Sequence, residues 1–181
     1  MRWRNLKDRM VRASQLDATL FEEVENDRGA TAQALAVVII VAVAIGFGSV
    51  DIGADFSVDA LIGGTLLGLA GSVVWAGITY VLATSIIRGS RNEAGFLAVV
   101  RSLAFAQSVG VFRFFGFVAL VGELVIVVVF LWQFLAVVES TRELFDYASN
   151  KRLFGVVLIG AVPSFYLTFT LVNRLFGVVA E

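Results

Sequence analysis

The chain has 181 residues, of which 14 are basic and 15 acidic, so its formal net charge is only −1. Hydrophobic residues make up 59% of it and charged residues 16%, with a mean hydropathy of +0.88, whereas about a quarter of a soluble domain is charged. Cysteine and histidine are both absent, which excludes disulfides, thiolate chemistry, histidine ligands to zinc or haem, and histidine general bases.

Residues 1–29 are predicted to form a cytoplasmic arm ahead of a transmembrane domain, residues 30–181. Thr19 and Glu22 fit a capping box, with Thr19 as the N-cap and Glu22 reaching back to its amide. Leu20, Phe21 and Val24 then fall on one side of the helix. We expect an amphipathic helix or helix pair, lying along the inner headgroups or capping the cytoplasmic ends of the spans.

Long apolar stretches follow the arm, and a span needs about 20 mainly apolar residues. Residues 30–50, 58–87 and 153–169 meet or approach that length, and residues 94–138 are long enough for two spans. The first stretch follows a charged segment and is too long for a cleavable signal peptide. The sequence therefore predicts an all-α polytopic bundle of four or five transmembrane helices.

The charge distribution predicts the orientation. Six basic residues precede the first span: Arg2, Arg4, Lys7, Arg9, Arg12 and Arg28. The following loop carries Asp51 and Asp55 but no basic residue, so the positive-inside rule places the N-terminus in the cytoplasm and this loop outside. Five spans put twelve of the 14 basic residues inside and four spans put eleven there, so charge favours five spans with an external C-terminus.

A turn is predicted between the third and fourth spans, where Gly116 and Gly122 bracket an apolar pentapeptide. Folding back there would bring Arg113 and Glu123 to the same depth at the outer surface. We expect the two to form an ion pair, because an unpaired charge in a membrane costs several kcal/mol on some scales.

The second span carries a small-residue seam. Its members lie four positions apart: Gly64, Gly68, Ser72 and Ala76. Such a seam lets two helix backbones approach closely, either in a dimer or within the chain's own bundle, and the number of spans favours the latter. In the last span, Pro163 removes a helical hydrogen bond and predicts a kink.

Six polar residues are predicted to lie within the membrane: Arg101, Gln107, Arg113, Glu123, Gln133 and Asn173. Such residues suggest a transport path or, as we favour here, hydrogen bonds between helices and arginines that reach the surface. A hairpin of the third and fourth spans would place Gln107 opposite Gln133. It would also bring Arg101 near Glu139 at the inner face.

The sequence contains no recognisable catalytic or metal-binding motif. Asp51, Asp55 and Asp59 could hold a divalent cation only on a formed helix, and Gly53 between them favours a solvated loop. The P-loop, the nucleophile elbow and the dinucleotide fingerprint are all absent. We therefore expect no enzymatic activity, no cofactor and no nucleic-acid partner.

Four segments carry a family resemblance. They are residues 12–17 (RASQLD) with 21–24 (FEEV), residues 101–108 (RSLAFAQS), residues 118–122 (VALVG), and residues 132–151 around RELFDY. In this order they resemble the prokaryotic branch of the Yip (Ypt/Rab-interacting) membrane protein family. The family usually has proline after the second segment, where this chain has Val109 and Gly110, so its third helix is expected to be straighter.

The resemblance implies five spans, a cytoplasmic N-terminus and a place in the cytoplasmic membrane of a prokaryote. Eukaryotic members are linked to Rab GTPases, but they carry an N-terminal Leu-Tyr-Gly-Pro type motif that this sequence lacks, so GTPase binding is not expected. The leading hypothesis is a membrane scaffold or accessory subunit that organises a membrane-protein partner, a second copy or the bilayer. The alternative is a small transporter or channel that uses the intramembrane polar residues.

Overall fold

The computed structural model describes residues 5–49, 58–86, 95–118, 121–145, 155 and 157–161. The described residues are helical with short connections and contain no strand, which confirms the all-α prediction. In chain order the elements are α1 (Leu6–Ser14), α2 (Ala18–Asn26), a 3₁₀ turn (Arg28–Ala30), α3 (Thr31–Gly48), α4 (Val58–Ile86), α5 (Phe96–Ala106), a 3₁₀ segment (Gln107–Phe117) and α6 (Gly122–Leu144).

Four stretches of the described chain are long and apolar enough to cross a membrane: Arg28–Gly48, Val58–Leu82, Phe96–Phe117 and Gly122–Leu144. Large apolar side chains such as Leu35, Ile39 and Val73 face outward on them, as expected for a surface that meets lipid. These features indicate a membrane protein. Residues 94–138 form two of the four helices, whereas most of the predicted fifth span, with Pro163, lies outside the described residues.

One end of the bundle is built on close backbone contacts between glycines. A Cβ atom on Gly48 would overlap the carbonyl of Arg113, and one on Gly116 would lie 2.9 Å from the carbonyl oxygen of Gly48. Gly122 likewise meets Gly116, and Gly64 meets the end of α3. We call this the glycine end: α3 and the 3₁₀ segment end here, and α4 and α6 begin here, so neighbouring spans alternate in direction.

The seam on α4 lies against α3 of the same chain. A Cβ atom on Gly68 would lie 2.9 Å from Cα of Ala42, and Gly64 is in similar contact with Gly46. Ser72 and Ala76 continue the seam and are also buried. The structure therefore places the seam inside the bundle, which is the arrangement that the sequence favoured over a dimer interface.

The arm forms a helical hairpin at the opposite end of the bundle, which we call the arm end. Leu16 makes the turn between α1 and α2 with a φ angle of 60°, in the left-handed region. Leu20, Phe21 and Val24 of α2 are completely buried, and α2 packs against α5 and α6. The described arm therefore packs on one end of the bundle as a cap, one of the two predicted placements, which do not exclude each other.

The cap of α2 differs from the prediction, because Asp17 and not Thr19 is its N-cap residue. Asp17 Oδ1 accepts hydrogen bonds from the backbone amide of Thr19 at 3.0 Å and from its hydroxyl at 2.7 Å. Because α2 begins one residue after Asp17, the Thr19 hydroxyl lies inside the first turn and acts as a donor. Glu22 is exposed, so the predicted capping box is wrong.

The third span is not one continuous α-helix. α5 ends at Ala106 and continues as the more tightly wound 3₁₀ segment from Gln107. This winding brings Gly110 against α3, where a Cβ atom would lie only 2.6 Å from Cγ1 of Val41. The span has no proline at residues 109 and 110, and it nevertheless changes from α-helical to 3₁₀ winding.

Candidate functional site

Of the polar residues predicted within the membrane, Asn173 lies outside the described residues, and the described ones do not converge on one point. Gln107 and Ser72 form one buried pair, in which the Ser72 hydroxyl lies 2.6 Å from Gln107 Oε1 and 2.9 Å from the carbonyl of Gly68. A second pair joins Ser102 of α5 to Ser140 of α6 at 3.0 Å. These contacts hold the third span to α4 on one side and to α6 on the other.

Gln133 is hydrogen-bonded to an arginine of the third span. Its Oε1 atom accepts a hydrogen bond from Arg113 Nη2 at 3.1 Å. Because Gln107 already binds Ser72, each of the two glutamines has its own partner on a different helix. The two glutamines, which the sequence places on facing sides of a hairpin, therefore bind separate partners.

The predicted ion pair between Arg113 and Glu123 is wrong. Among the described residues no ion pair joins them, and Glu123 is exposed in the first turn of α6, where the helix dipole favours an acidic side chain. The cause is the 3₁₀ winding, which turns the chain by about 120° per residue instead of about 100°. From Gln107 to Arg113 this adds up to about a third of a turn, enough to direct Arg113 to Gln133.

Arg101 forms no ion pair with Glu139 among the described residues. Its Nε donates to the carbonyl of Val24 at 2.9 Å, and its Nη2 donates to the carbonyl of Glu25. The last carbonyls of a helix have no partner within the helix and carry its partial negative charge, so a buried guanidinium is well placed there. Arg101 thus caps the C-terminal turn of α2, while Glu139 pairs with Arg142 at 3.4 Å.

Arg9 is the centre of a polar network between the arm and α3. The guanidinium is buried and contacts Glu23 Oε1 at 2.7 and 2.9 Å, Asp27 Oδ2 at 2.8 Å and Gln33 Oε1 at 2.9 Å. Burial works to lower the pKa of Arg9, but the hydrogen bonds to Asp27 and Glu23 outweigh it and raise that pKa. One side chain therefore joins α1, α2 and the start of the first span.

Arg12 extends this network along the hairpin. It contacts Asp17 Oδ2 and Glu23 Oε2, both at 2.7 Å, and the hydroxyl of Thr19 at 3.1 Å. We refer to Arg9, Arg12, Asp17, Glu23 and Asp27 as the arm network. Both arginines therefore bind carboxylates of the arm itself.

A further contact fixes the end of α1. The indole nitrogen of Trp132 donates to the carbonyl of Ser14 at 2.8 Å, and the same indole stacks on Phe112 with 6.1 Å between ring centroids. Trp132 and Phe112 come from different spans, so the arm holds α6 and the 3₁₀ segment together. With Arg9 and Arg101 this makes three polar attachments between the arm and the bundle.

The face of α2 that points away from the bundle forms a shallow acidic groove. It is lined by Thr19, Glu22, Glu23, Asn26 and Asp27. Within the described residues no group of three histidine, cysteine, aspartate or glutamate side chains could hold a metal ion, and Asp51 and Asp55 lie outside them. Two of the carboxylates of the groove, those of Glu23 and Asp27, are already bound to Arg9.

The arm network was missed at the sequence level, although the sequence carries a signal for it. Arg9 and Arg12 are three residues apart and share one face of α1, while Glu23 and Asp27 are four apart and share one face of α2. Two short helices with opposite charge on facing sides favour a hairpin. The arginines were instead counted only for the orientation of the chain.

The arm network should make the protein sensitive to acid. Hydrogen bonds to Arg12 and Arg9 hold the pKa of Asp17 and of Asp27 below the usual carboxyl range. Burial works to raise the pKa of Glu23, but Arg12 and Arg9 lower it on balance. A lowered carboxyl pKa contributes stability that is complete above the unfolded value, about 4, and is lost as pH falls through the folded value.

We therefore expect the melting temperature to stay constant from pH 7 to about 5 and to fall below about pH 4. Thermal unfolding in detergent across this range measures the effect. The triple variant Asp17→Asn, Glu23→Gln, Asp27→Asn is the control, and its melting temperature should vary less with pH. Equal pH dependence of variant and wild type would contradict this role of the network.

A double-mutant cycle checks the revised partner of Arg113. Arg113→Met and Gln133→Leu should show a coupling free energy of about 0.5–1.5 kcal/mol, because each removes the same hydrogen bond. Arg113→Met and Glu123→Gln should show none, since those side chains are not paired. Thermal unfolding measures both cycles. Coupling of Arg113 to Glu123 and none to Gln133 would support the ion pair at the turn instead.

The described residues thus form a bundle with four helices long enough to cross a membrane, with hydrogen bonds between the helices and an arm held to the bundle by arginines. Comparison of the chain with protein-family models, with curated proteins and with solved structures gives no match.

Proposed function

We propose that this protein is a non-enzymatic membrane scaffold or accessory subunit that presents its arm to a membrane-protein partner. The observation that carries this proposal is the attachment of the arm through Arg9, Arg101 and Trp132. A segment that served only to fill space would not need two buried arginines with complete sets of acceptors. Holding the arm rigidly lowers the entropy cost of binding, which is the general advantage of a preorganised surface.

The hydrogen-bond partners of the polar residues in the spans support the same proposal. Gln107 is bound to Ser72, Arg101 to backbone carbonyls and Gln133 to Arg113, on separate helix pairs. A path for ions or solutes needs polar groups arranged in succession along it. Groups that bind one another between helices instead contribute to packing of the bundle.

Site-specific photocross-linking in native membranes tests the scaffold. A benzoylphenylalanine at Glu22 or Asn26, both exposed in the acidic groove, should give a discrete protein adduct. The same group at Leu35 or Ile39 on the lipid-facing side of α3 is the control and should give none. Arg101→Met should abolish the arm adducts by releasing α2. Absence of protein adducts from both arm positions would contradict the proposal.

The second candidate function is a small transporter or channel, and Arg113 is the observation that favours it. This arginine lies in the third span and has no carboxylate partner among the described residues. Flux of protons, alkali cations and chloride into proteoliposomes distinguishes the two functions. A scaffold gives rates equal to those of empty liposomes, whereas flux that Arg113→Gln abolishes would establish transport.

We further propose five spans, with the N-terminus in the cytoplasm. Support comes from residues 157–161, which lie beside the arm-end half of α4. Val157 is fully buried there, and a Cβ atom on Gly160 would lie 3.3 Å from Leu82 Cδ1. A helix that begins at this point and runs antiparallel to α4 would be a fifth span. We also propose that the chain belongs to the prokaryotic Yip branch, on the basis of the four segments that resemble it.

Reporter fusions test the number of spans. A reporter after residue 181 should be external and one ahead of the arm cytoplasmic, since an odd number of spans separates the two ends. Alkaline phosphatase and a fluorescent protein, which are active on opposite sides of the membrane, should give complementary signals at the two sites. Two cytoplasmic ends would establish four spans instead.

A further inference from the structure

The 3₁₀ segment of the third span is unusually long. It runs for 11 residues, from Gln107 to Phe117, whereas 3₁₀ runs longer than about four residues are uncommon because their hydrogen bonds have poorer geometry. No turn separates it from α5, because the backbone of Gln107, where α5 ends, stays in the right-handed helical region. A 3₁₀ stretch that continues a helix in this way often marks a functional hinge. The segment is therefore the candidate hinge of the third span.

The present winding leaves two polar side chains of the segment incompletely paired. Among the described residues, Ser108 Oγ and Arg113 Nε are buried and have no hydrogen-bond partner. Arg113 is bound to the neutral Oε1 atom of Gln133, whereas the buried guanidinium of Arg101 donates to two carbonyls. A buried donor without a partner costs free energy. These side chains therefore do not favour the present winding over another one.

The same residues can adopt α-helical winding with a small change of backbone, because the two helices occupy neighbouring φ and ψ regions. An α-helix turns by about 20° less per residue than a 3₁₀ helix and rises by about 0.5 Å less. From Gln107 onward, α-helical winding would turn Arg113 by about 120°, away from Gln133, and Phe114 would take its direction to within about 20°. Rewinding residues 107–115 would also shorten the third span by about 4–5 Å.

The two ends of the span differ in how they are held. At the arm end, Arg101 fixes α5 to the carbonyls of Val24 and Glu25. At the glycine end, Gly116 meets Gly48 without a side chain between them, because neither residue has a Cβ atom. The end of the 3₁₀ segment can therefore slide along α3 without passing a side chain at this contact. A change of length would move the glycine end and leave the arm end in place.

We propose that the 3₁₀ segment is a conformational switch between 3₁₀ and α-helical winding. In the 3₁₀ state, which the structure shows, Arg113 is bound to Gln133. In the α-helical state Arg113 leaves Gln133, the third span is shorter and the glycine end has moved toward the arm end. The switch lies apart from the arm and does not rest on the proposed scaffold function.

Pulsed electron paramagnetic resonance on the full chain in liposomes measures the length of the third span. The chain has no cysteine, so cysteines introduced at Leu97 and Phe115, both exposed, are the only thiols for nitroxide labels. Their Cα atoms are about 32 Å apart with the present winding and would be about 27 Å apart in a continuous α-helix. We expect two populated label distances that differ by about 4–5 Å. Labels at Val58 and Val81, exposed on α4 and about 34 Å apart, are the control and should give one distance.

Two substitutions in the labelled chain should favour the shorter distance. Gly110→Ala would place a methyl group 2.6 Å from Cγ1 of Val41 in the present winding, where the stiff valine side chain cannot readily turn away, and alanine also favours an α-helix. Gln133→Leu removes the partner of Arg113 and should raise the ratio of short to long distances about fivefold, the effect of one lost hydrogen bond. Gly77→Ala adds a methyl group with nothing within 4 Å and should leave the ratio unchanged.

A second, shorter distance that either Gly110→Ala or Gln133→Leu populates more strongly supports the switch. If Gly110→Ala fails to fold, the wild type and Gln133→Leu still decide. One label distance that is the same in the wild type and in every folded variant overturns the proposal, because the segment then has a single winding.

Discussion

Replacing Gly68 with leucine is expected to lower the free energy of unfolding by about 3 kcal/mol or more. A Cβ atom there would already lie 2.9 Å from Cα of Ala42 and 3.0 Å from Cδ1 of Ile45. The nearer atom belongs to the backbone, which cannot change rotamer as a side chain can, so α3 and α4 would have to move apart. That movement would disturb the extensive contact between α3 and α4.

Two control variants on the same helix separate this effect from a change in helix propensity. Gly77→Leu adds the same side chain where nothing lies within 4 Å of the new Cβ atom, so it should be neutral or stabilise by up to about 1 kcal/mol. Leu67→Ala, at a partly exposed position beside Gly68, should cost much less than Gly68→Leu. Thermal unfolding in detergent ranks the three. Equal melting temperatures for Gly68→Leu and Gly77→Leu would contradict close packing at the seam.

The second large effect is expected from Arg101→Met, with a loss of about 2–4 kcal/mol. Methionine fills much of the same volume but leaves the carbonyls of Val24 and Glu25 without their donor. Those carbonyls lie at the buried C-terminal turn of α2, where water cannot readily replace the guanidinium. The arm should then detach from α5 while the spans remain folded.

Limited trypsin digestion measures this detachment separately from global unfolding. Lys7, Arg9 and Arg12 are cleavage sites in the arm, and release of α1 and α2 should speed cleavage there before the spans are cut. Arg142→Met is the control, because its ion pair with Glu139 is exposed and worth about 0–1 kcal/mol. An arm that stays protected in Arg101→Met would show that apolar packing alone holds α2 in place.

The seam and the arm illustrate what local sequence could and could not provide. Gly64, Gly68, Ser72 and Ala76 repeat every four residues, so their common face follows from helix geometry alone. The apolar face of α2 follows from spacing in the same way, and Leu20, Phe21 and Val24 are indeed buried. The cap of α2 was misassigned by two residues because Asp17 and Thr19 are both good cap formers and the start of the helix decides between them.

The sequence by itself determined that the chain is an all-helical membrane protein and where its four described spans lie, since length and hydropathy are properties of each stretch alone. Only the tertiary structure decided the partners of Arg101, Arg113, Gln107 and Gln133. A side chain's partner depends on the rotation and depth of each helix relative to its neighbours. Here the 3₁₀ segment rotates one face of the third span. The acceptors for Arg101 are the carbonyls of Val24 and Glu25 in the arm, which precede it by 77 and 76 positions in the chain.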